Sequence, residues 1–462
     1  MKKIILLAFL SFIFLNATIS YGQEKYVSFS AKIENSKTDS VYITDFYGEI
    51  PLKNFHLQNG ESKKESFYLP MGYYKIHNSG ESTTAFLKFG FDFEFSLDTK
   101  EFDETIKYKG KGAAENNYLA EKYLLNESFG RLRAYTYYAK FDEKDFLRMS
   151  DSLYQLQLNL FNKYKAGFDN DFTFIEEKDL EMNYLLKLSN YESMHGFVSN
   201  NRKFKVSEKY PNPFEDIDLK DTILLLSPNY INYVNNYLEN LCYKKITDGD
   251  YSNFYLLFID FIDSEIKTQK IKEEIAFYYI KYRFDDSYNL DKRYQKIKKI
   301  VSNNKEYLDL LDVNYQKIKR QEKGNIAPNF ELYDIDNNIV KLSDFKGKLV
   351  YIDIWATWCS PCIKKIPNLQ KLEKEFKDKE IVFISIAKND NKERWEKTVR
   401  QNKLSGIQLF APNENIEFFK FFMVDGVPRF ILLNKNGKII NANAKRPSDE
   451  ELIENLNKLL KD

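Results

Sequence analysis

The sequence predicts a multidomain chain: an N-terminal all-β domain, a helical middle region and a C-terminal α/β domain. Three patterns predict this. Between about residues 25 and 110, apolar residues alternate with period two between turn-forming pairs. From Ala113 to Gln321 they recur every three or four residues. After Asn325, strand and helix patterns alternate around the turn Cys359-Ser360-Pro361-Cys362. A length of 462 residues suits about three domains, and a hydrophobic fraction of 43%, with 38 Phe and 33 Tyr, suffices for packed cores. Such a composition excludes a disordered chain.

Residues 1–22 read as a secretion signal. Lys2-Lys3 is the charged head, Ile4 to Leu15 is almost wholly apolar, and Ser20-Tyr21-Gly22 supplies small residues for cleavage before Gln23. The apolar run is shorter than the ~20 residues that span a bilayer. No later stretch is long enough to span, and no cysteine follows the cleavage position to carry a lipid. The expected product has no stable membrane insertion and resides in the periplasm or cell envelope. Without the signal, 67 basic face 68 acidic residues. That balance, with no basic cluster, gives no footprint for nucleic acid.

Residues 23–111 form the predicted β domain, read as a small antiparallel sandwich or barrel. Its strands include Val27–Ile33, Val41–Thr44, Phe67–Leu69, Tyr73–Ile76 and Phe91–Phe95. Asn59-Gly60, Pro70-Met71-Gly72 and Ser79-Gly80 punctuate them. His56 and His77 read as surface or packing residues. Lys109-Gly110-Lys111-Gly112 marks the boundary to a helical domain over 112–320. There Phe146, Met149, Leu153, Leu156, Leu160 and Tyr164 form one apolar stripe, and Ile231, Val234, Leu238 and Leu241 another. Cys242 falls on the second stripe as a buried structural thiol. Gln321 to Asn325 is a short polar linker.

Residues 321–462 form the predicted α/β domain. Phe330–Leu332 and Val340–Leu342 flank a hairpin turn at Asp336-Asn337-Asn338. Strand Leu349–Ala356 runs into the Cys-x-x-Cys and a helix over Ile363–Phe376. Ile381–Ile386 is an unbroken apolar run, the mark of a buried parallel strand. A helix around Lys392–Gln401 follows, then a hairpin through Asn436-Gly437. Ser448 with Glu451 reads as a capping box for a last helix to about Leu460.

Two cysteines two residues apart, between a strand and a helix, make a redox site. A helix N-terminus offers unpaired N–H groups and a positive dipole end, and these stabilise a thiolate. Cys359 is the expected attacking sulfur. Cys362, one turn further in and more enclosed, closes back on it. A zinc site needs four ligands. Three Cys and three His with no second metal-spaced pair do not supply them. An exported dithiol meets an oxidising environment, where it can rest as a disulfide.

Here the residues resemble a family. Ala327-Pro328-Asn329-Phe330, Leu342-Ser343-Asp344-Phe345-Lys346-Gly347-Lys348 and Trp355-Ala356-Thr357-Trp358-Cys359-Ser360-Pro361-Cys362 are similar to the TlpA/ResA type of exported thiol–disulfide oxidoreductase. Pro367, five residues after Cys362, and Gly426-Val427-Pro428 also match. The resemblance implies a thioredoxin-like fold for 321–462. The whole layout resembles large exported proteins of the Bacteroidota.

The resemblance further implies that Pro428 is cis and lies against the Cys-x-x-Cys, leaving the preceding backbone free to pair with an extended substrate. Trp358, Ser360, Pro361, Val427 and Pro428 are the implied substrate-binding residues. Asp353, a carboxylate in an apolar strand, matches the acid that relays the proton of the second cysteine. Many relatives of this type carry a glutamate three residues after that cysteine. Here Lys365 stands there, which leaves the relay to Asp353.

The implied reaction is thiol–disulfide exchange with protein disulfides and needs no bound cofactor. With Ser360-Pro361 between the cysteines and no histidine after His195, the site is expected to be reducing and fed by a membrane thiol reductase. Two rival readings are a thiol peroxidase and a partner-binding envelope protein with an accessory thioredoxin domain. The first would place a threonine three residues before the attacking cysteine, where Ala356 stands.

Overall fold

In a computed structural model the described residues are 26–461, apart from 135, 136, 138, 248, 285–287 and 413–415. The expected signal lies outside them. The chain divides into two compact units, the first ending at Tyr278 and the second running Tyr279–Asp462.

The first unit opens with nine strands: β1 (Val27–Glu34), β2 (Ser40–Asp45), β3 (Pro51–Gln58), β4 (Glu61–Ser62), β5 (Glu65–Phe67), β6 (Gly72–Asn78), β7 (Glu81–Leu87), β8 (Asp92–Asp98) and β9 (Lys107–Lys111). They form one sheet in the order β7-β6-β2-β3-β4-β1-β8-β9, with β5 beside β1. Contrary to the antiparallel arrangement expected from sequence, β1 and β8 pair in parallel, because the chain between them folds its own hairpins before returning. Strand β5 stops at Phe67, and Tyr68 is exposed. His56 is exposed, and His77 stacks on Tyr42.

Helices follow: α1 (Phe102–Thr105), α2 (Ala113–Ser128), α3 (Glu143–Tyr164), α4 (Asn170–Val198), α5 (Tyr230–Lys245), α6 (Phe254–Glu265) and α7 (Gln269–Tyr282). One buried cluster runs from Phe29, Phe55 and Phe86 of the sheet to Tyr118, Phe161 and Phe172 of the helices. Residues 111–113 therefore mark a change from strand to helix, and the core continues across it. Inside it Lys122 is paired with Glu176 at 2.5 Å, and Tyr73 and Tyr118 donate to the same carboxylate.

The stripe expected on α3 is shifted. Its buried residues are Phe146, Ser150, Leu153, Gln157 and Phe161, while Leu156 is exposed. Periodicity alone could not choose between two overlapping faces, and neighbouring helices did. Cys242 is buried on α5 and unpaired, and burial pushes its thiol up to about 12.

The second unit holds α8 (Leu290–Ile300), α9 (Lys305–Lys319) and a seven-stranded sheet in the order β11-β10-β14-β13-β12-β15-β16. These strands are β10 (Glu331–Asp334), β11 (Ile339–Lys341), β12 (Leu349–Trp355), β13 (Ile381–Ala387), β14 (Ile407–Phe410), β15 (Arg429–Leu433) and β16 (Ile439–Asn441). β12, β13 and β14 are parallel, and the flanking strands are antiparallel. The helices are α10 (Ser360–Ile363), α11 (Ile366–Glu375), α12 (Lys392–Gln401), α13 (Glu417–Phe421) and α14 (Glu450–Leu459). Gln321–Asn325 is not a free linker. The Gly324 N–H donates to the Ile439 carbonyl at 2.8 Å, and Ile326 bridges Lys438.

Alternation along the strands gives the sheet two apolar faces. Ile352, Ile354, Ile384, Ile386 and Leu409 build one core. Tyr351, Phe383 and Phe430 build the other, with Leu372 and Phe376 of the α11 segment and Leu452 of α14. This is the expected three-layer arrangement. Two local details differ from the sequence reading. The helix over Ile363–Phe376, in which Pro367 is expected to force a kink, goes further and breaks into two helices, because Pro367 has no N–H for Ile363 and its ring crowds that carbonyl. Asp449, not Ser448, caps α14, accepting the Glu451 N–H at 3.1 Å. Among the described residues no helix is long and apolar enough to cross a membrane.

Candidate active site

Strand β12 delivers the site. Its last residue, Trp355, is buried, and the chain then turns at Ala356–Thr357 before Trp358 and Cys359. The turn is held from below. Asp390, whose side chain is fully buried, accepts the Thr357 N–H at 2.5 Å and its hydroxyl at 2.6 Å. The same carboxylate accepts the Asn391 N–H at 2.8 Å. Trp358 is half-exposed, with its indole N–H donating to the Asn389 carbonyl at 2.7 Å.

Cys359 is the N-cap of α10 and is joined to Cys362 in a disulfide. Pro361 sits in the first turn, where its missing N–H goes unmissed. The Cys362 N–H points at the Cys359 Sγ from 3.2 Å. The peptide Val427-Pro428 is cis, and the Val427 carbonyl oxygen lies 3.7 Å from the Cys359 Sγ. One expectation fails here: Cys362 is not the more enclosed of the two, since each cysteine is 4% exposed in the disulfide state. Ser360 is exposed beside them.

Asp353 lies two residues before Trp355 on the same face of β12. Its Oδ1 is buried and has no hydrogen-bond partner among the described residues. Burial, reinforced by the Glu373 carboxylate, pushes the Asp353 carboxyl up to about 7. Lys365 points elsewhere, its Nζ donating to the Ser448 hydroxyl at 3.0 Å. Among the described residues no cluster of His, Cys, Asp and Glu is placed to hold a metal.

A family model described as Redoxin matches residues 322–460. The thiol-disulfide oxidoreductase ResA of Bacillus cereus is 31% identical over 145 residues, covering 31% of this chain and 83% of the relative. The chain belongs to the ResA thiol–disulfide oxidoreductases. ResA of Bacillus subtilis is 27% identical over 118 residues, covering 26% of this chain and 65% of its own length. A crystal structure of the thioredoxin domain of a thiol-disulfide oxidoreductase from Bacteroides vulgatus is 30% identical. It covers 30% of this chain and 98% of that one, with a TM-score of 0.28.

The ResA-like domain is thus an oxidoreductase domain of thioredoxin-like fold, carried at the end of a longer chain with a strand-rich start and a helical middle. Sequence reasoning singled out both cysteines, Asp353 and Val427-Pro428, and passed over Asp390. Its signal was Asp390-Asn391 directly after an apolar strand, read only as the approach to a helix. Replacing Asp390 by alanine removes three hydrogen-bond acceptor contacts. It is expected to destabilise this unit by about 2–3 kcal/mol. Urea unfolding followed by tryptophan fluorescence checks this, because Trp355, Trp358 and Trp395 all lie in the second unit.

Proposed function

We propose that the protein is exported and reduces disulfides of envelope proteins through a Cys359/Cys362 dithiol–disulfide cycle. The observation that carries this is one sulfur, Cys359, set at a helix cap with the Cys362 N–H at 3.2 Å and the Val427 carbonyl at 3.7 Å. A thiolate at Cys359 has a donor in place. An extended substrate chain finds the Val427 backbone beside the sulfur it must reach. Trp358, Ser360, Pro361, Val427 and Pro428 form the substrate contact in this reading. The Cys359 thiolate attacks a substrate disulfide and displaces one substrate thiolate. Asp353 takes the Cys362 proton, and the Cys362 thiolate attacks Cys359 and releases the second substrate thiolate. No bound cofactor enters. A signal over 1–22, a periplasmic or envelope location and a membrane thiol reductase as electron donor belong to the same proposal, as does the division into segments 23–111, 112–320 and 321–462.

The direction of exchange follows from what surrounds the sulfurs. Ser360 and Pro361 put no positive charge between the cysteines, and backbone donors alone depress a thiol modestly. Potentials of ~−270 mV for thioredoxin and ~−120 mV for a disulfide donor bracket the choice. Equilibrating the full chain against a dithiothreitol series is expected to give a value near the reducing end. A potential above about −170 mV would make the protein an oxidase or isomerase instead.

A further inference from the structure

The face of the sheet that carries Asp353 is apolar at both ends and polar across its middle. Tyr351 and Phe383 pack at one end, and Trp355, Ala387 and Phe410 at the other. Between them the strand register sets Asp353 beside Ser385, and Ser385 beside Gln408. All three point to the face covered by the α11 segment. Ser385 and Gln408 are 4% and 6% exposed, so this row is buried, and burying polar side chains in an apolar layer is costly without a use for them.

The row leads to a second carboxylate. Gln408 donates from Nε2 to the Ser405 carbonyl at 2.6 Å, and the Ser405 hydroxyl donates to Glu373 Oε2. Glu373, on α11, is half-buried. Its other oxygen, Oε1, is seated against Gly406. A Cβ at Gly406 would come within 2.6 Å of that oxygen and 3.0 Å of the Phe383 carbonyl, and the backbone there has φ +70°. A side chain there would strain the backbone and push the carboxylate aside. Two buried acceptors on the row, Asp353 Oδ1 and Gln408 Oε1, have no hydrogen-bond partner among the described residues. Such atoms are satisfied when a proton or a hydroxyl stands on them.

We propose that Glu373 sets the pH at which Asp353 accepts the Cys362 proton, its carboxylate held under the same face of the sheet by Ser405 and Gly406. This rests on the reading of Asp353 as the acceptor. The balance is simple. Cys362–SH and Asp353–COO⁻ become Cys362–S⁻ and Asp353–COOH. The thiolate forms the bond to the Cys359 Sγ as the Cys359–substrate bond breaks, and the substrate leaves as thiolate with the electron pair. The proton then passes from Asp353 to water, which protonates the leaving thiolate. Glu373 acts through Asp353 and is a positioning residue, not one that touches sulfur.

The groups that face Asp353 leave Glu373 as its partner. Tyr351 on the same strand is kept neutral by burial, and Ser385 on β13, Phe430 on β15 and Trp355 carry no charge. On α10 stands Cys362 itself. Among the described residues no lysine or arginine is paired with either carboxylate. Two carboxylates in one buried site titrate as a pair and do not both ionise freely. Burial raises Glu373, while the Ser405 hydroxyl holds it down.

The test times closure of the Cys359–Cys362 disulfide in the full chain. Reduced protein is mixed with an aromatic disulfide whose thiolate is coloured, and release of the second thiolate is timed across pH. In the unaltered protein the rate has a midpoint set by Asp353. Glu373→Gln is expected to lower that midpoint by about one pH unit, because it removes a like charge. Glu373→Asp is expected to leave it near its original place. Should Glu373→Gln fail to fold, Ser405→Ala reads the same midpoint. Loss of that hydroxyl weakens the charged form of Glu373 and shifts the midpoint in the same direction. Asp353→Asn separates the two claims. If it removes the midpoint while Glu373→Gln and Ser405→Ala leave it unmoved, Asp353 acts without Glu373 and the inference is overturned alone. If Asp353→Asn leaves the midpoint in place, the acceptor reading falls and takes this inference with it.

Discussion

Replacing Cys359 by serine is expected to abolish reduction of insulin disulfides, a loss on the order of a thousandfold or more. A hydroxyl at the cap of α10 keeps the hydrogen bond from the Cys362 N–H but has no accessible anion near neutral pH. Cys362→Ser acts differently. The Cys359 thiolate still attacks, since its donor is the backbone N–H of residue 362, which serine retains. The second step has no nucleophile, so the mixed disulfide accumulates. Non-reducing electrophoresis of the Cys362→Ser protein should show covalent adducts that dithiothreitol releases. Cys359→Ser should show none. Adducts that persist in Cys359→Ser would move the nucleophile to the other sulfur. The adducts isolated from an envelope fraction would also name the substrates.

Asp353→Asn should make the second unit more stable at pH 8 and leave it unchanged or slightly weaker at pH 4. The folded carboxyl is pushed up to about 7, whereas an unfolded one titrates near 4. Below about pH 4 both states are protonated and no penalty arises. Between about pH 4 and 7 the unfolded state ionises first, so the native state binds more protons and stability falls as pH rises. Above about pH 7 the penalty is complete. A rise of that size corresponds to at most about 4 kcal/mol, and relaxation around the buried carboxylate brings the expected gain to about 2 kcal/mol. Urea midpoints by tryptophan fluorescence at the two pH values measure it. Equal effects at pH 4 and pH 8 would mean that folding leaves the titration of Asp353 unchanged. The same variant should slow closure of the Cys359–Cys362 disulfide by about a hundredfold, because the acceptor is gone while the shape remains. Gain in stability with loss of rate is the signature of a group held in an unfavourable state for its chemistry.

Most of the active-site turn was legible because its signals are local. A Cys-x-x-Cys after an apolar strand, Pro361 in a first helical turn and Asn436-Gly437 in a hairpin each depend on a few adjacent residues, and the structure has them all. Val427-Pro428 was legible only through resemblance, since nothing in a dipeptide shows whether its bond is cis. Lys365 was read as a departure from the family, and its bond to Ser448 agrees with a residue that takes no part at the sulfurs.

What the sequence by itself determined, then, is the order of the three kinds of region, the redox pair and the strand that carries it. Tertiary structure decided the rest, for a physical reason common to each case. β14 has four residues and α13 five, too few to show a period, and each exists because neighbouring elements pair with or cover it. The buried stripe of α3 was chosen by the helices against it, not by its own spacing. Asp390 reaches back 33 residues to hold Thr357, and the row of Asp353, Ser385 and Gln408 joins three strands. Such contacts are set by strand register and helix placement, which close only when the whole unit packs, and no window of adjacent residues contains them.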